Sequence, residues 1–140
     1  MTPHQVTLVQ TSFAKVAPIA GAAADLFYAR LFEIAPDVRH MFPDDLAEQK
    51  KKLMTMLGTA VAGLTKPDAL LPVVRMLGQR HAGYGVTAEH FAPVGAALIW
   101  TLEKGLGEAF TADVKAAWVE VYGVLSRTMI DGMEPLPKAA

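Results

Sequence analysis

The 140-residue chain contains no cysteine. That absence excludes disulfides, thiolate-held zinc, iron–sulfur clusters and thiolate ligation of any other metal. Net charge is scarce as well, with 13 basic side chains against 14 acidic ones, −1 overall and a pI near 6.4. Such a balance offers no electrostatic attraction to nucleic acid. Apolar runs are too short and interrupted to span a bilayer, so no membrane partner is expected. The N-terminus lacks a basic stretch followed by an apolar core, which argues against a signal peptide. No segment alternates apolar and polar residues with period two for long enough to make a strand. Nor is there an internal repeat, a low-complexity tract or a linker. A single cytoplasmic domain is expected.

What the chain has is apolar surface, with 52% hydrophobic residues, arranged at helical spacing. Thr2, Pro3 and Gln5 read as N-cap, first helical residue and capping-box partner, and Val6, Val9, Phe13 and Val16 follow on one face up to Pro18. A second helix is expected from about Ile19 to Ile34, with Ala24, Phe27, Tyr28, Leu31 and Phe32 over a wide arc. Pro36 opens a short turn of helix that runs to Phe42 and stops at Pro43. Asp44 or Asp45 can cap the next helix, whose stripe is Gln49, Leu53, Met56, Leu57, Ala60 and Leu64. Lys50, Lys51 and Lys52 point mostly away from that stripe and read as a solvated face. After Gly63 and Pro67, Asp68 starts a further helix. Thr87 caps a helix bearing Phe91, Val94, Leu98 and Leu102, with Pro93 in its first turn and Gly105 and Gly107 at its end. Thr111 caps the last one, bearing Val114, Trp118, Val121, Leu125 and Met129. The domain is expected to occupy residues 1–133, with 134–140 a loose tail.

The helix after Pro67 is the informative one. Leu70, Val74, Leu77 and His81 stand at offsets 0, 4, 7 and 11, so one face carries three apolar side chains and then an imidazole. The helix stops at Gly83 and Gly85. An inward imidazole takes a backbone carbonyl or side chain as partner, or else a metal. Tyr28 and Gln49 are two more polar residues on inward faces, and burying them without partners is costly. Taken singly, Tyr28 also suits a loop anchor, Gln49 a solvent edge and Phe42 a core position.

Their order, however, resembles the globin family, specifically bacterial single-domain haemoglobins and the globin half of flavohaemoglobins. The likeness rests on Leu26 to Phe32, on Pro36 to Phe42, on Gln49 with Leu53, on His81 followed by Tyr84, Gly85 and Val86, and on Ala117 to Val124. It runs from the first helix to about Met129. The resemblance implies an all-α, three-over-three helical sandwich around haem, with the fourth (D) helix short or absent. It implies haem b with His81 as the iron ligand, Phe42 packing on the haem face, and Tyr28, Gln49 and Leu53 on the side where gas binds. Arg80, Tyr84 and Val86 would be further haem contacts, with Arg80 and Lys52 as candidates for the propionates. The implied ligands are O2, CO and NO, and the implied state is a monomer or weak homodimer.

One departure stands out. Flavohaemoglobins usually place a tyrosine and a glutamate against the proximal histidine, whereas the matching positions here hold Phe91 and Met133. Neither can polarise His81, whose second nitrogen is expected to donate to a carbonyl of its own helix, such as that of Leu77. Peroxidase-like chemistry is therefore disfavoured. Two functions remain: reversible oxygen binding for storage or transport, and nitric oxide dioxygenation, for which a separate reductase is needed. A haem-free regulator of the same fold would not need Tyr28, Gln49 and His81 together.

Overall fold

A computed structural model describes residues 1–83 and 86–133. The expected Tyr84 contact and the 134–140 tail lie outside the described residues. Six α-helices form the domain: α1 (Pro3–Val16), α2 (Ala20–Ile34), α3 (Ala47–Gly63), α4 (Pro67–Gly83), α5 (Phe91–Leu106) and α6 (Ala112–Met133). Short 3₁₀ turns occupy Ala17–Ile19, Pro36–Met41, Ala88–His90 and Gly107–Ala109. The architecture is all-α among the described residues, with α4 packed on α6, α2 on α5 and α1 on α6. No helix separates the 36–41 turn from α3, as the resemblance implied.

Local signals set most boundaries. Thr2 and Gln5 close a complete capping box on α1. α1 ends at Val16, and a 3₁₀ turn absorbs Pro18 before α2 begins. Asp45 accepts the Ala47 amide at 3.0 Å, but the residue at the helix boundary is Leu46, which has no side-chain cap. Thr87 closes its capping box with His90 over the 88–90 turn, one step before α5. α4 starts at Pro67, one residue ahead of Asp68, and carries Pro72 within its second turn. Gly107 ends α5 with φ +56°, a conformation that costs glycine little.

The core has two parts. The larger gathers side chains from all six of these helices, α2 through Ala23, around Trp118, which is 1% exposed. The Trp118 indole donates to the Ser12 hydroxyl at 2.8 Å, and that hydroxyl donates to the Leu8 carbonyl at 2.7 Å, so no buried polar atom there is orphaned. The smaller part is Phe27, Tyr28, Leu31, Ala35, Val38 and Ala97, and Leu98 packs against both.

Two glycines set the closest helix approach. A Cβ on Gly78 of α4 would overlap the carbonyl of Met129 on α6, and one on Gly132 would overlap the carbonyl of Arg75 on α4. The backbones of α4 and α6 thus meet directly, with no side chain between them at either point. His81 lies one turn beyond Gly78, so this crossing sets where its helix face points.

Candidate functional site

His81 is half-buried, and its Nδ1 lies 2.6 Å from the carbonyl oxygen of Leu77. A carbonyl only accepts, so Nδ1 carries a proton and donates to it. The expected own-helix partner is therefore the observed one. Past the helix end, the Val86 amide donates to the His81 carbonyl at 3.1 Å, which closes the chain back onto the same residue.

Tyr28 and Gln49 come together from α2 and α3. The Tyr28 side chain is 3% exposed, and burial pushes its hydroxyl above the ordinary tyrosine value of 10.0. A hydrogen bond with the Gln49 side chain offsets part of that rise. The phenol therefore keeps its proton and remains a donor. Around it lies an aromatic cluster: Phe27 stands edge-on at 5.0 Å, Phe42 edge-on at 5.7 Å and Phe32 tilted at 5.9 Å. Leu53, Val94 and Leu98 pack onto the same cluster. Four residues singled out in the sequence, Tyr28, Phe42, Gln49 and Leu53, thus share one wall.

α3 packs against α2 on one side and α4 on the other, so it joins the Tyr28 wall to the helix of His81. Its apolar stripe is unusual. Leu53, Met56, Leu57 and Ala60 are all only half-buried, as are Leu77, Val86, Leu125 and Met129. Apolar side chains at that depth leave a surface suited to a flat apolar group rather than to water. Among the described residues no three His, Cys, Asp or Glu side chains gather to hold a bare metal ion. One imidazole would suffice for a metal whose remaining ligands come from a cofactor ring.

The remaining candidates are less engaged. Lys52 and Arg80 are exposed. Lys50 departs from the solvated reading, since its ammonium lies 2.8 Å from Asp25 Oδ1 and links α3 to α2 one residue beyond Gln49. Phe91 opens α5 and Met133 closes α6. The Tyr122 hydroxyl donates to the Phe91 carbonyl at 2.6 Å, so it serves the start of α5.

Comparison with known proteins agrees with this layout. A family model for globins matches residues 25–129. The chain belongs to the globin family. Among relatives, the flavohemoprotein of Chromobacterium violaceum is 35% identical over 107 residues, which is 74% of this globin and 26% of that protein. This globin spans about a quarter to a third of the length of the curated flavohemoproteins it matches. A carbene transferase engineered from a proposed nitric oxide dioxygenase of Rhodothermus marinus superposes with a TM-score of 0.84 at 26% identity, covering 95% of this chain and 93% of that one. A bacterial globin from Campylobacter jejuni superposes with a TM-score of 0.82 at 22% identity, covering 94% and 96%. Among the described residues no helix is long and apolar enough to cross a membrane.

Proposed function

We propose that this globin holds haem b through His81 and reversibly binds oxygen, with CO and NO as further ligands, on the side of Tyr28 and Gln49. The observation that carries this reading is Tyr28, buried in an aromatic and aliphatic wall and paired with the half-buried Gln49. When bound, haem would supply a ferrous iron able to take up a diatomic gas. His81 Nε2 would hold the iron, Phe42 and Leu53 would pack beside the ring, and Val86 would line the proximal corner. Arg80 and Lys52 would meet its propionates.

The chain's own residues account for selectivity between gases. Tyr28 and Gln49 offer an O–H and an amide N–H to a polar ligand in a pocket from which Phe42 and Leu53 exclude water. Donors to a ligand that gains negative charge are worth roughly 1.5–3 kcal/mol each. That amounts to about ten- to hundredfold in affinity, expressed mainly in the dissociation rate. Carbon monoxide is less polar when bound and gains less. Oxygen storage or transport in the cytoplasm, by a monomer or weak homodimer, fits this chemistry and the near-zero net charge.

The testing experiment is the visible spectrum of the purified ferrous protein before and after oxygen. A five-coordinate deoxy form that converts to a persistent oxygenated form is expected. Absence of haem, or a six-coordinate ferrous form without added ligand, would overturn the reading.

Nitric oxide dioxygenation is the second reading, favoured by the likeness to flavohemoproteins. There oxygen and nitric oxide combine to nitrate with uptake of one electron, which a reductase must supply. Tyr28 and Gln49 would hold the oxygen in place for attack. Sustained nitrate production with a reductase and reductant would favour this reading, and a single stoichiometric burst would favour oxygen binding.

A further inference from the structure

We propose that Arg39 is a positioning residue for the gas-binding wall, acting through Phe42 on Tyr28. This rests on the reading of Tyr28 as the donor to bound gas.

Phe42 is the first residue after the 36–41 turn, and Pro43 follows it without an amide hydrogen. A loop at this point has carbonyls that need donors. Arg39 supplies them. One guanidinium nitrogen lies 3.2 Å from the Phe42 carbonyl and 3.0 Å from that of Pro43, and the other lies 3.3 Å from that of Asp44. The Phe42 amide in turn donates to the Arg39 carbonyl at 3.1 Å. Phe42 is thereby gripped at both its backbone groups by a single residue.

The same guanidinium lies over the Phe32 ring at 5.0 Å from its centroid. Phe32 meets Phe42 edge-on at 5.5 Å, and both rings flank Tyr28. A planar cation over one ring with its edge bonded to the backbone of the next uses both properties that distinguish arginine from lysine. The arrangement fixes Phe32 and Phe42 relative to each other, and the Tyr28 ring sits against both. The placement of the Tyr28 ring thus depends on Arg39 through Phe32 and Phe42.

The test compares Arg39→Met and Arg39→Lys with the parent by two measurements. In the purified protein, the ring-flip rate of Phe42 is read by aromatic NMR. In the ferrous protein, oxygen and carbon monoxide dissociation are read by stopped flow, alone and combined with Tyr28→Phe. Arg39→Met is expected to speed Phe42 flipping and to speed oxygen dissociation about three- to tenfold, with little change for carbon monoxide. It should add nothing in the Tyr28→Phe background, because the effect passes through Tyr28. Arg39→Lys, which keeps the charge but not the flat fork, should fall between, and it carries the test if the methionine variant does not fold. Unchanged Phe42 flipping, equal acceleration of both gases, or a full effect in the Tyr28→Phe background would each overturn the proposal. If the protein takes up no haem, the function reading fails by itself, and the ring-flip comparison alone decides whether Arg39 holds Phe42.

Discussion

Replacing Gly78 by alanine should do the opposite of what that change does in an ordinary helix. Removing a glycine from a helix interior normally stabilises by about 0.5–1 kcal/mol, because the unfolded chain loses conformational freedom. At Gly78 the new Cβ would stand 2.8 Å from the carbonyl carbon and 2.9 Å from the Cα of Met129, besides overlapping the carbonyl oxygen. Those neighbours are backbone of α6, a 22-residue helix, and cannot rotate away. The two helices must part locally by on the order of 1 Å, and overpacking of this kind costs about 1–3 kcal/mol, here at the upper end. The net expectation is a loss of about 2 kcal/mol, or on the order of 6–10 °C in Tm for a domain of this size. Gly132→Ala, which meets the Arg75 carbonyl, should behave alike. Gly123 supplies the internal control. It lies in the same α6 with nothing within 4 Å of its Cβ position, so Gly123→Ala should gain about 0.5–1 kcal/mol. Urea titrations of the three variants measure all of this, read as midpoint shifts at constant slope. Equal stability of Gly78→Ala and Gly123→Ala would refute the backbone-to-backbone reading of the crossing.

Four further outcomes are expected. His81→Gly should lose stable iron ligation and regain part of it with added imidazole, and an unchanged ferrous spectrum would end the proximal assignment. Tyr28→Phe and Gln49→Leu should each speed oxygen dissociation about ten- to hundredfold, with less effect on carbon monoxide and with non-additivity in the double variant, all measurable by stopped flow. Burial raises the pKa of both Tyr28 and Tyr122, so the folded state keeps protons that the unfolded chain releases above pH 10. Stability should therefore be unaffected by these groups below pH 10 and fall as pH rises beyond it, and a denaturation series at alkaline pH in the Tyr122→Phe variant should show a shallower fall. Finally, His81 donates to a neutral carbonyl, so the iron–histidine stretch by resonance Raman should lie below that of flavohaemoglobins, and Phe91→Tyr with Met133→Glu should raise it.

Features governed by near neighbours were legible in the sequence. The Thr2–Gln5 box, the Thr87 cap and the Thr111 cap each need only three or four consecutive residues. The His81 partner was legible for the same reason, since the Leu77 carbonyl is one helical turn away. Tyr28, Phe42, Gln49 and Leu53 were legible as a group through the resemblance to globins, and the structure places them on one wall. What escaped depends on how distant segments meet. Gly78 and Gly132 are 54 positions apart, and a mid-helix glycine marks a close approach without saying to what. Nothing in the sequence marks Arg39, because its acceptors exist only once the chain has turned at Pro43. The α3 stripe is regular in the sequence, and only the fold shows that it is half-buried from Gln49 to Ala60 and buried at Leu64.

The two sides of the site are held by different means, and this has a functional consequence. On the His81 side the fixing contacts are backbone ones: the α4–α6 crossing, the Leu77 carbonyl and the Val86 amide. Apart from the two glycines, substitution does not remove them, so that side resists change and defects there appear first as lost stability. On the Tyr28 side the fixing contacts are side chains, namely the aromatic cluster, Arg39 and Gln49. Single substitutions there alter the donor geometry while leaving the helix packing intact. On the proposed function, iron ligation and gas affinity are expected to be adjustable separately. Substitutions at positions 28, 32, 39, 42 and 49 should then alter the preference for oxygen over carbon monoxide without disturbing how His81 is presented.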